Sequence, residues 1–277
     1  MRSYTLNNLY EHARNIRHYI IAMTTRANSG HPGGSLSSAD IITYVYFNLL
    51  NIRALRDQDP NRDRFILSAG HLCPAVYAAL AEANLISQEQ ILTLRQFGSP
   101  LQGHPDRLMM PYLETSSGSL GQGLSIALGF ALSLPKKSNV FCLTSDAEHQ
   151  EGSTWEAIMA AAHFKTSNLI SIVDRNYLQI DGSTENVMAL NSLKDKYRSF
   201  GWNVIEIDGH CFNAIDGAFN EAISYKKGPT AIIALTHLGH GVSIIENDCR
   251  YHGKALTLDQ AHQAHQQIDQ YYQRINK

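Results

Sequence analysis

Cysteine is scarce, with four in 277 residues at positions 73, 142, 211 and 249. They stand far apart and show no metal-ligand spacing, so neither a zinc site nor a disulfide framework is expected. A reduced, cytoplasmic setting follows from that usage. An excess of charge of either sign is also missing: 23 Lys and Arg face 25 Asp and Glu, a net charge of −2. Nucleic acid and anionic membranes are therefore given no electrostatic footprint. The N-terminal stretch MRSYTLNNLYEHARNIRHYII is interrupted by charges and is neither a signal peptide nor a membrane span. Repeats and low-complexity runs are absent. So is a phosphate loop after the first strand-like segment, where AGHLCP follows FILS; this argues against a plain nucleotide-binding protein.

What remains is a globular composition. The chain is 44% hydrophobic, enough for a sizeable core, and carries thirteen histidines, several of them beside glycine. Apolar residues at helical spacing (Leu6, Leu9, Ala13, Ile16, Ile20, Met23) predict a helix over 5–28. A second helix is expected over 38–50, begun by Ser37 or Ser38, after a Gly-His-Pro-Gly-Gly segment that reads as a turn. FILS (65–68) reads as a short buried strand, CPAVYAALAEA as a helix with proline near its start, and 119–134 as a glycine-dotted buried helix. VFCLTS, NLISIVD, WNVIEID and TAIIALT read as strands, with helices over STWEAIMAAAHF and around 213–226 between them. Strands alternating with helices predict an α/β fold with a mostly parallel sheet. A polar helix, LTLDQAHQAHQQIDQYYQRIN, closes the chain.

The segment LTSDAEHQEGSTWEA (143–157) concentrates acid where a strand ends. Ligands bind at the carboxyl ends of parallel strands. Asp146 follows VFCLTS and Asn176 follows NLISIVD, and one helical crossover joins those strands. An Asp carboxylate and an Asn amide oxygen at one sheet edge are hard donors that suit Mg²⁺ accompanied by an organic diphosphate, with a helix N-terminus beside them. The alternative for each residue alone is a turn or cap. Ser153 and Glu156 match a capping box, and Glu148 is expected to be solvated.

The stretch from Ser145 to Gly182 resembles the thiamin diphosphate motif of transketolases, which opens with Gly-Asp-Gly and closes on Asn. SGHPGGSLSSADI (29–41), LSAGHLCPAVYAAL (67–80), LQGHPD (101–106), ETSSGSLGQGLSIALGFAL (114–132) and, more weakly, VSIIENDCRYHGKAL (242–256) match in the family's order. The resemblance covers nearly the whole chain and implies one thiamin diphosphate-binding domain over 1–277. It implies that Asp146, Asn176 and the Leu178 carbonyl hold Mg²⁺, and that Ala147 and His71 meet the diphosphate. Gly118, Ser119 and Leu120 would line the cofactor. His31, His104 and His252 would face the reacting carbon, and Glu151 would join a carboxylate network between subunits. The implied reaction moves a two-carbon ketol unit from a ketose phosphate to an aldose phosphate.

Two departures qualify the resemblance. Gly-Asp-Gly is here Ser145-Asp146-Ala147; if the position after the Asp needs φ > 0, Ala147 costs roughly 1 kcal/mol and cofactor binding is weakened. The second α/β domain of transketolases, which carries the pyrimidine-binding half, is not in this chain. The chain is therefore expected to be the N-terminal subunit of a split enzyme, completed by a C-terminal transketolase subunit in an α₂β₂ assembly. Two alternatives stand beside this: an altered relative with a different donor or acceptor, and a degenerate subunit without catalysis.

Overall fold

The computed structural model describes residues 5–135 and 137–275. Among these residues seven strands are present: β1 (Arg64–Leu67), β2 (Val140–Ser145), β3 (Leu169–Arg175), β4 (Leu178–Gln179), β5 (Gly182–Ser183), β6 (Asn203–Asp208) and β7 (Thr230–Leu235). Five form one all-parallel sheet in the order β1-β2-β3-β7-β6, and β4 and β5 make a small hairpin. The helices are α1 (Leu6–Ala27), α2 (Pro32–Ser37), α3 (Ala39–Tyr44), α4 (Ile52–Arg56), α5 (Cys73–Glu82), α6 (Gln88–Ile91), α7 (Gly123–Ser133), α8 (Gly152–His163), α9 (Thr184–Val187), α10 (Leu193–Ser199), α11 (Phe212–Ser224) and α12 (Leu258–Ile275).

The central strands read as unbroken apolar runs because both sheet faces are covered. Successive side chains point to opposite faces, so alternate residues supply two cores. Phe141, Leu143, Ile170, Ile172 and Ile232 pack with α1, α3, α5, α11 and α12. Val140, Cys142, Leu169, Val173 and Ile233 pack with α7, α8 and α10. Each such side chain, fully buried, contributes about 1.5–3 kcal/mol.

The strands expected from the sequence are present, and the helices over 5–28 and 213–226 match α1 and α11 within a few residues. The expected helix over 38–50 is different. The Gly-His-Pro-Gly-Gly segment is not a turn but the start of α2, with Pro32 at its first position. Its glycines are required by packing: a Cβ on Gly33 would lie 2.8 Å from the Tyr251 carbonyl oxygen, and one on Gly34 2.4 Å from Leu72. The helix then breaks at Ser38, where the hydroxyls of Ser37 and Ser38 both donate to the Gly34 carbonyl, at 2.8 and 3.0 Å. Beyond α3 the chain takes a π-helical turn over Val45–Leu49. The expected helix over 119–134 begins only at Gly123; a Cβ there would lie 2.5 Å from the Ser68 backbone. The polar terminal helix docks through a narrow seam of Ala261, Ala264, Ile268 and Tyr272. Among the described residues no helix is long and apolar enough to cross a membrane.

Candidate active site

β2 and β3 are adjacent and parallel, with Ser145 opposite Asp174. Register alone therefore brings Asp146 and Asn176 to one end of the sheet. Both are buried, and both line an open cleft of about 390 Å³ together with His31, His71, His104 and His252. The Asp146 carboxylate accepts the Tyr177 amide through Oδ2 at 2.8 Å and the Ala147 amide through Oδ1 at 2.7 Å. Asn176 donates to Asp174 through Nδ2 at 3.1 Å, and its Oδ1 accepts the Leu178 amide at 3.0 Å. Asp174 is fully buried and also accepts the Ser37 and Thr236 hydroxyls.

The acid at the end of β2 is balanced within the chain. Arg175, the last residue of β3, sits 3.2 Å from Asp146 Oδ2 and 2.6 Å from Glu185, and lies over the Tyr177 ring. Burial still outweighs this pair and pushes the Asp146 carboxyl up to about 7, with the Asp174 charge adding to the rise. A cation placed against Asp146 would favour the ionised form. Glu148 is not solvated, as the sequence suggested, but buried. It accepts the Ser68 hydroxyl at 2.5 Å and the amides of Gly121 and Ser145 at 2.9 Å each. Nor does Glu156 close a capping box: the N-cap of α8 is Glu151, with no side-chain cap bond, and Ser153 instead donates to the Gly121 carbonyl at 3.1 Å.

The four histidines come from segments far apart in sequence. The His31 ring centroid lies 5.2 Å from His71, 5.5 Å from His252 and 6.2 Å from His104. Gly253 lies beside the cluster, where a Cβ would meet His31 Nε2 at an ordinary contact distance of 3.4 Å. Burial lowers the pKa of His31 to about 4, with His252, Arg95 and His104 adding to the shift. Burial also lowers those of His71, His104 and His252. All four rings are thus neutral near pH 7, each able to donate at one nitrogen and accept at the other.

Of the other expected site residues, Gly118, Leu120, Ala147, Glu151 and Leu178 line the cleft. Glu151 is exposed. Ser119 is exposed and is not among the lining residues. Ala147 opens a 3₁₀ turn after Asp146, whose φ is −64°, and is not among the positive-φ residues. The backbone strain considered for that position is therefore absent. Three buried atoms on residues that line the cleft have no hydrogen-bond partner among the described residues: His31 Nδ1, His252 Nδ1 and Ser145 Oγ. Orphaned polar atoms beside an oxygen-donor pair fit a polar, anionic ligand with a hard cation. The inward fold of Glu148, Asp174 and Arg175 has no counterpart in the sequence pattern; their apolar or turn-like neighbourhoods give no sign of it.

Residues 10–273 match the family described as transketolase, thiamine diphosphate binding domain. The chain is 35% identical over 264 residues to one subunit of the apulose-4-phosphate transketolase of Phocaeicola vulgatus, covering 94% of each. It is 37% identical to human transketolase, covering 95% of this chain but 42% of that protein. The crystal structure of Campylobacter jejuni transketolase superposes with a TM-score of 0.87 at 30% identity, over 96% of this chain and 43% of the other. The chain thus spans less than half the length of these full transketolases and nearly all of the Phocaeicola subunit.

Proposed function

Because the chain belongs to the transketolase thiamine diphosphate-binding domain family, we propose that it is the diphosphate-binding subunit of a two-component transketolase. The observation that carries this reading is the meeting of Asp146, Asn176 and four neutral histidines in one cleft at the ends of adjacent strands. Asp146, Asn176 and the Leu178 carbonyl are the oxygen donors for Mg²⁺, which typically keeps few protein ligands and completes its shell with phosphate. His71, Ala147, Gly118 and Leu120 meet the cofactor. When bound, thiamin diphosphate supplies the electron sink for breaking and making the carbon–carbon bond.

The chain's own contribution is positioning and proton handling. His31, His104 and His252 are neutral and close together, so they bond substrate oxygens and hold or release a proton there. Ketose and aldose phosphates are the substrate class. Arg175 holds the Asp146 carboxylate through Oδ2.

A partner carrying the pyrimidine-binding domain completes the site. Support comes from the share of each relative covered and from the surface. α7 is apolar nearly all round, yet Leu132 on it is 52% exposed; on α8, which packs against it, Met159 and the C-cap Phe164 are 58% and 56% exposed. A helix of that character is normally covered. An α₂β₂ assembly and a cytoplasmic setting complete the reading.

The test is calorimetric titration of thiamin diphosphate with Mg²⁺, paired with a ketol-transfer assay, on the chain alone and with its partner. Metal-dependent binding that Asp146→Ala abolishes, and turnover only with the partner, are expected. Turnover by the chain alone, or no binding even with the partner, would refute it.

A further inference from the structure

We propose that the Ser145 hydroxyl is an additional cofactor-binding group, donating a hydrogen bond to an anionic oxygen of the diphosphate. The inference rests on the thiamin diphosphate reading and adds a contact to it.

Ser145 ends β2 and is 7% exposed. Its backbone is fixed on both sides. The amide donates to Glu148 Oε2 at 2.9 Å, and the carbonyl oxygen lies 3.2 Å from His149 Nδ1. Glu148 is in turn held by Ser68 and Gly121, so the turn that carries Ser145 is anchored from three segments. The residue is thereby held in the lining of the cleft with Asp146, Ala147, His71 and Gly118. Its oxygen is nevertheless buried without a hydrogen-bond partner among the described residues.

Such an atom is unusual, because burial removes water from a hydroxyl and returns nothing. An acceptor entering the cleft relieves that deficit. A hydroxyl needs an acceptor with a free lone pair, and an oxyanion is the strongest one. The resembling motif has glycine at this position, so the contact is one that a Gly-Asp-Gly turn cannot make. It also gives the Ser-Asp-Ala sequence a consistent account: Ala147 is accommodated without a positive φ, and Ser145 adds a donor where the ligand's charge is concentrated.

The experiment is calorimetry on the 277-residue chain, alone and assembled with its partner, comparing wild type with Ser145→Ala, Ser145→Gly and Ser145→Thr. Two probes are used with Mg²⁺: thiamin diphosphate and inorganic pyrophosphate. Ser145→Ala and Ser145→Gly are expected to raise Kd for both probes about ten-fold, the scale of one hydrogen bond to a charged group. Ser145→Thr, which keeps the hydroxyl, stays near wild type. The ligand-free melting temperature of Ser145→Ala is unchanged, because the hydroxyl has no partner to lose. Equal Kd values for Ser145→Ala and wild type overturn the proposal. So does a loss of affinity matched by a fall in ligand-free melting temperature, which marks a structural role. If wild type binds neither probe in either form, the cofactor reading itself fails and this contact with it.

Discussion

The Glu148 carboxylate accepts the Gly121 amide at 2.9 Å across 27 residues of sequence, tying the loop before α7 to the turn after β2. The same carboxylate takes the Ser68 hydroxyl at the end of β1. Two cleft-lining segments, 117–122 and 145–150, are thus referenced to one buried acid. Replacing it by alanine strands three buried donors. Glu148→Ala is expected to cost about 3 kcal/mol or more, read by urea unfolding, and to weaken Mg²⁺-dependent binding as the loop drifts. Wild-type stability for this variant would show that the clamp is redundant.

Asp174 reaches the site through another residue. It is buried on β3 and accepts Asn176 Nδ2 at 3.1 Å, which turns Asn176 Oδ1 away from it. Such an orienting bond typically matters 10–100-fold to metal affinity. Asp174→Ala removes the acceptor that Asn176 Nδ2 shares with the Ser37 and Thr236 hydroxyls. The expected result is about ten-fold weaker Mg²⁺ binding, with a loss of stability from the buried donors left without their acceptor. Unchanged metal affinity would mean that the Leu178 amide orients Asn176 unaided.

How much of the fold and site is legible in the sequence depends on the range of the interaction. Strand runs such as VFCLTS and TAIIAL are legible because burial on both faces leaves a continuous apolar signature. Asp146 and Asn176 fall at one edge because strand ends and a single crossover are local inferences, and the β2–β3 register supplies the rest. The histidine cluster is named only through ordered motifs, since nothing local tells His31 that it will lie 5.5 Å from His252. Glu148 looks solvated in the sequence yet is buried: donors that include the distant Ser68 and Gly121 hold it, and a one-dimensional pattern carries no trace of them. The Pro32 helix looks like a turn because glycine propensity gives way there to tight packing against Leu72 and Tyr251.

Two glycines of α7 test that packing argument in opposite directions. A Cβ on Gly123 would press on the Ser68 backbone at 2.5 Å, whereas one on Gly129 meets nothing within 4 Å. In the isolated chain Gly129→Ala should stabilise by about 0.5–1 kcal/mol through helix propensity. Gly123→Ala should destabilise by about 2 kcal/mol or more, because β1 and α7 must part. Thermal unfolding of the two variants side by side decides it; the same sign for both would contradict the packing described.

His210 sets a pH dependence away from the cleft. Its Nδ1 lies 2.8 Å from Asp40 Oδ2, and the His237 amide donates to its Nε2 at 3.0 Å. The ring is therefore neutral with its proton on Nδ1. Arg17 makes two bonds to the same carboxylate at 2.8 and 2.7 Å, and the His240 ring stacks on His210 at 3.5 Å. Asp40, His210 and His240 are spaced like metal ligands, but the guanidinium and the backbone N–H already occupy two of them. Burial lowers the His210 pKa below the ordinary 6.5, assisted by His240 and Arg17 and opposed by Asp40. The unfolded chain then binds the extra proton first, so stability is full above about pH 6.5 and falls on acidification below it. One group contributes a slope of at most about 1.4 kcal/mol per pH unit. His210→Asn keeps a donor toward Asp40 but cannot titrate. Urea unfolding between about pH 7.5 and 5 should show a shallower acid loss for the variant by up to that slope. Parallel curves would mean that His210 takes up its proton equally in the folded and unfolded chain.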